Sequence, residues 1–77
     1  MRPSTLRPGD PLRRLSGVGA NPSRVYTFLR IDPGQPGRRA DAVLQCEDYR
    51  GLNGADDAGL CTVSAGELAR HFERVSP

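Results

Sequence analysis

The sequence predicts a mainly β domain of four or five short antiparallel strands with a short C-terminal helix. Three features carry that prediction. Short apolar runs alternate with period two and are separated by Gly, Pro and Asn clusters, as strands and turns require. Asn53-Gly54 is a strong dipeptide signal for a tight hairpin turn. Ser64-Ala65-Gly66-Glu67 is a capping box, which marks a helix start.

In chain order, residues 1–8 contain two prolines and no periodicity and read as a flexible tail, leaving residues 9–77 as a single domain. Residues 11–15 (PLRRL) form a first strand with Leu12 and Leu15 inward, and residues 16–23 a loop rich in turn formers. Residues 24–32 (RVYTFLRID) are the best strand, dense in β-branched and aromatic side chains. Its alternating sets are Val25, Thr27, Leu29, Ile31 and Tyr26, Phe28, Arg30; both are partly apolar, which suits a central strand. Residues 32–39 (DPGQPGRR) make a loop, because proline removes a ladder donor. Residues 40–47 (ADAVLQCE) are a third strand with Ala42, Leu44 and Cys46 on one face, and residues 60–63 (LCTV) a fourth.

A hairpin symmetric about Asn53-Gly54 opposes Cys46 with Cys61, Leu44 with Val63 and Gln45 with Thr62. At the end of the chain, the Ser64 hydroxyl takes the Glu67 amide while the Glu67 side chain returns to the Ser64 amide. Leu68, Phe72 and Val75 then recur as one apolar stripe, with Arg70 and Arg74 toward the negative end of the helix dipole. This helix is expected to lie over the core as a lid.

The core is thin for its length. The 77 residues include seven alanines and only Tyr26, Phe28, Tyr49 and Phe72 as aromatics, so self-association into a homo-oligomer is expected to supplement it. No apolar run approaches a membrane span, and residues 1–15 lack the apolar run of a secretion signal. A soluble cytoplasmic protein with no membrane partner and reduced Cys46 and Cys61 is the expectation.

Charge divides the chain. Residues 1–39 carry eight arginines against Asp10 and Asp32, a formal +6; residues 40–77 carry three arginines against seven carboxylates, a formal −4, giving +2 overall. Every basic residue except His71 is arginine, which coding bias in a GC-rich genome explains better than selection for bidentate contacts does. A small lysine-free chain of this kind also suits an accessory or inhibitor protein of a mobile element.

No catalytic constellation emerges. Cys46, Cys61 and His71 lack the paired spacing of a zinc site. His71 stands four residues after Glu67 on the helix and is expected to pair with it. The glycines of residues 16–21 have no phosphate-loop sequel. Neither metal nor cofactor is expected, and the chain is read as non-enzymatic. What remains is a basic surface: Arg13 and Arg14 on the first strand, Arg24 and Arg30 on the second, and Arg38 and Arg39 in the next loop, with Tyr26 and Tyr49 as stacking rings. Cationic grooves with aromatic platforms bind single-stranded nucleic acid, whereas a net charge of +2 is modest for that role.

Four short strands after a Gly-Asp start, followed by a small helix, resemble an SH3-like barrel. Residues 9–17 (GDPLRRLSG) resemble the Gly-Asp-x-Val-Arg-Lys-x-Ser-Gly opening of the plasmid-borne type II dihydrofolate reductases. Residues 63–68 (VSAGEL) are similar to that family's closing Val-x-x-Leu segment. The family's pore strand Val-Gln-Ile-Tyr corresponds here to residues 60–63 (LCTV), without the glutamine and tyrosine. The resemblance therefore implies a fold and self-association and carries over no catalytic residue. The sequence reads as a non-catalytic binding module whose arginine face engages an acidic protein surface. A nucleic-acid binder and a small reductase are the alternatives.

Overall fold

In the computed structural model, which describes residues 5–17, 21 and 23–75, the chain is mainly β: five antiparallel strands in one sheet and one short helix. The elements are β1 (Pro11–Arg14), β2 (Val25–Asp32), β3 (Asp41–Gln45), β4 (Leu60–Ser64), α1 (Ala65–His71) and β5 (Phe72–Arg74). The strand order is β4-β3-β2-β1-β5, so β4 and β5 are the edges. No described helix is long and apolar enough to cross a membrane. Residues 1–4 of the expected tail lie outside the described residues. Beyond them, the Thr5 carbonyl accepts a bond from Arg74 at 2.7 Å and Leu6 packs against the core.

One face of the sheet carries the core. Leu12 opposes Tyr26 and Phe28 opposes Leu44, and these four join Ala42, Cys46, Leu68 and Phe72 in a single buried cluster. The first strand ends before Leu15, which is 52% exposed; alternation from Leu12 brings Arg14 to the core face instead. In β2 the register shifts between Phe28 and Arg30, leaving Leu29 as the extra residue. Arg30 then opposes Val43 and Ile31 opposes Ala42, so Ile31 rather than Arg30 returns to the core side.

The β3–β4 hairpin departs from the expected register. Leu44 opposes Cys61, Ala42 opposes Val63 and Gln45 opposes Leu60. The expected pairing was two residues out, which preserves side-chain faces because strands have period two. Asn53-Gly54 is not a two-residue turn. The connection is a 3-10 turn at Glu47–Tyr49 followed by further turns, organised by Asp57. Its carboxylate accepts from the Gly59 amide at 2.8 Å and the Asn53 amide at 3.1 Å, which lowers the Asp57 pKa. Gly59 closes the loop at φ +78°, and a Cβ there would collide with the Cys46 carbonyl oxygen.

The helix is shorter than its apolar stripe. Ser64 caps it as expected, accepting the Glu67 amide at 3.1 Å. It ends at His71, and Phe72 is already extended at φ −117°, ψ 154°. Phe72 opens β5 opposite Arg14, and the Val75 amide donates to the Pro11 carbonyl at 2.9 Å. A ladder with β1 replaces the last helical turn while Leu68 and Phe72 both remain buried.

Candidate partner-binding site

The eight residues of the expected basic surface occupy four separate places. Arg14 and Tyr26 point into the core, 9% and 5% exposed. The Arg14 guanidinium lies 5.3 Å from the centre of the Phe72 ring, donates through Nε to the Ser16 carbonyl at 3.0 Å and reaches Glu67 at 3.6 Å. It anchors β1 to α1 and β5 instead of facing a partner. Tyr26 does not supply an exposed stacking ring, because the Leu12 to Tyr26 pairing fixes it in the core, edge-on to Phe72 at 5.5 Å.

Arg24 and Tyr49 form a second cluster. Arg24 donates to Asp48 at 3.0 Å and to the Tyr49 hydroxyl at 2.8 Å, and its guanidinium lies 4.9 Å from the Tyr49 ring centre. The Tyr49 hydroxyl in turn meets that of Tyr26 at 3.2 Å. The Asp48 carboxylate raises the Arg24 pKa further, and burial followed by the Tyr49 contact pushes Tyr26 up to about 12. Arg13 lies on the opposite sheet face, opposed to Val25 and Glu73, with its Nε buried and unpartnered.

Arg30, Arg38 and Arg39 remain, at the far end of β2 and in the β2–β3 connection. Arg30 pairs with Asp32 at 2.9 Å on the surface. The connection is a miniature hairpin rather than an open loop. Gln35 and Arg38 exchange backbone bonds of 3.0 and 2.7 Å around Pro36-Gly37, with Gly37 at φ +79°, the conformation a type II turn requires at that position. Gly34 lets the two arms close, since a Cβ there would sit 2.7 Å from the Arg38 carbonyl oxygen. Between the arms is an open cleft of about 280 Å³, lined by Asp32, Pro33, Gln35, Arg38, Arg39 and Asp41.

Ion pairing separates these arginines. Arg38 is 76% exposed and meets Asp41 only at 3.8 Å, an exposed contact of little energy. Among the described residues, Arg39 makes no ion pair, and the same holds for Arg7, Arg13 and Arg70. The cleft thus offers one uncommitted guanidinium and one loosely held one beside two carboxylates, an arrangement that takes a carboxylate or phosphate by charge-assisted hydrogen bonds.

His71 is not paired with Glu67. Its Nδ1 lies 2.7 Å from the Ser16 hydroxyl, and its carbonyl accepts the Leu15 amide at 2.6 Å, while Glu67 turns to Arg14. The Leu15 to His71 backbone bond holds the end of α1 against the end of β1 and brings the Ser16 and His71 side chains together. No sequence signal announces a contact between residues 55 apart. Among the described residues, no group of three His, Cys, Asp or Glu side chains is placed to hold a metal ion. Comparison with protein-family models, curated proteins and solved structures finds no match.

Proposed function

We propose that this chain is a non-catalytic binding module of the cytoplasm that engages an acidic protein segment at the β2–β3 hairpin. Arg39 is the leading contact, Arg38 the second and Arg30 a flanking one. The observation that carries the reading is the cleft of residues 32–41, where no carboxylate among the described residues pairs with Arg39 while Arg14 and Arg24 are paired elsewhere in the fold. A partner carboxylate at Arg39 gains a hydrogen-bonded ion pair without breaking one inside the fold. Asp32 and Asp41 on the cleft wall repel a uniformly anionic chain. They favour a partner segment in which carboxylates alternate with neutral or basic residues, and for that reason protein is preferred to nucleic acid.

The test is a titration of the labelled protein, followed by NMR, with a mixed acidic peptide and with single- and double-stranded oligonucleotides. The expected result is peptide binding that an Arg38→Ala, Arg39→Ala variant loses. Binding of oligonucleotides with a slope of log affinity on log salt of roughly −1.4, from about −0.7 per phosphate for two contacts on single strands, would replace the protein reading with a nucleic-acid one. Binding indifferent to the double variant would remove the hairpin from the site.

A further inference from the structure

The two edges of the sheet are unlike. β5 is three residues long and carries Glu73 and Arg74, the short charged edge that discourages pairing. β4 is five residues long, Leu60-Cys61-Thr62-Val63-Ser64, with no charge and no proline. Leu60 is 54% exposed and Thr62 is also exposed. An uncharged edge of this length is a template for another strand.

The ladder shows which backbone groups are free to pair. The Cys46 amide donates to the Gly59 carbonyl at 2.9 Å and the Ala65 amide to the Ala40 carbonyl at 3.2 Å. In an antiparallel ladder alternate residues bond the same neighbour, so between these bonds Cys61 and Val63 bond β3. The N–H and C=O groups of Leu60 and Thr62, with the N–H of Ser64, therefore point to the open edge.

We propose that β4 pairs antiparallel with β4 of a second copy about a two-fold axis at Thr62, joining the two sheets into one. Thr62 opposes the partner's Thr62 and the two exchange a pair of N–H···O bonds. Leu60 opposes the partner's Ser64. On the core face Cys61 opposes the partner's Val63; both residues are partly buried and packed against the core, which continues across the axis.

Two arguments select a second copy over a foreign strand. The β4 edge is self-complementary: symmetric pairing brings no like charges together and creates a favourable Thr–Thr pair, whereas symmetric pairing of β5 about Glu73 would oppose two carboxylates. A 77-residue chain with this thin core also gains from burying more apolar surface. The pairing is independent of the hairpin site, so either proposal stands if the other fails.

Sedimentation of the full chain should give a mass of about twice 8.3 kDa. Thr62→Lys, which sets two ammonium groups across the axis, should give a folded monomer, and Glu73→Lys should leave the dimer intact. Opposed residues of a hydrogen-bonded pair have Cα atoms about 5.5 Å apart, within disulfide range. Mild oxidation of a Thr62→Cys variant should therefore yield a dimer linked through position 62, and this readout holds even if Thr62→Lys fails to fold. A parent that stays monomeric at its solubility limit, a dimer unaffected by Thr62→Lys, or cross-linking through the native cysteines alone would each overturn the proposal.

Discussion

Arg14 and Arg39 are the same side chain in opposite circumstances. Arg14 stands on a strand whose alternation turns it inward, and there it meets a ring, a backbone carbonyl and a carboxylate. Arg39 stands beyond a proline-glycine turn, where the chain projects into water and no described carboxylate reaches it. The contrast extends to their neighbours, since Arg24 is closed in by Asp48 and Tyr49 while Arg38 is mostly exposed. A charge imbalance along a sequence is therefore not a charge patch on a surface. Arg14 with Glu67, Arg24 with Asp48 and Arg38 with Asp41 cross the divide at residue 39 and neutralise much of it.

If the Arg14 region is structural and the hairpin is not, substitutions should separate them by size. Phe72→Ala should have the largest effect, about 3 to 5 kcal/mol, because it removes the ring that both Arg14 and Tyr26 contact. In a domain holding about 5 kcal/mol in all, thermal or urea melts should show it largely unfolded. Arg14→Ala should cost about 2 kcal/mol through the lost ring contact and the lost bond to Ser16. A melt unchanged from the parent would show that this arginine is free after all.

The Tyr26–Tyr49–Arg24 cluster supplies a pH signature for the same region. Tyr26 rises from 10.0 to about 12 in the fold, so the folded state favours the protonated phenol. Its contribution is fully present below pH 10, and stability should fall as pH rises from 10 toward 12. Replacing Tyr26 with Phe should flatten that decline, which melts at several alkaline pH values would reveal. At the other end of the scale, Arg38→Ala with Arg39→Ala should shift stability by no more than about 0.5 kcal/mol while abolishing peptide binding.

What the sequence made legible follows the range of the forces involved. The strands, the capping hydroxyl of Ser64 and the inward set Ala42, Leu44, Cys46 rest on local alternation and local hydrogen bonding, and they were readable. The bulge at Leu29 was not, because it arises from matching β2 to β3 and leaves no local mark. The hairpin register failed for a related reason: Asp57 and Gly59 shape a long connection whose internal bonds outweigh the preference of Asn53-Gly54 for a tight turn. The end of α1 was misplaced because Phe72 satisfies a helical stripe and a strand equally well, and only β1 decides between them. For the candidate site, the six arginines could be named in advance, but their ion pairs could not. The partners of Arg14 and Arg24 lie far away in sequence and are brought near by strand order alone.

Under the proposed function, the hairpin guanidiniums are available to a partner and those of Arg14 and Arg24 are not. Arginine Nε–H exchange with solvent, followed by NMR on the parent protein with and without the mixed acidic peptide, tests it most directly. Slow exchange is expected at Arg14 and Arg24 in both conditions, and fast exchange at Arg38 and Arg39 that slows when peptide is added. Fast exchange at Arg14 or Arg24, or peptide-induced slowing there and not at the hairpin, would contradict it.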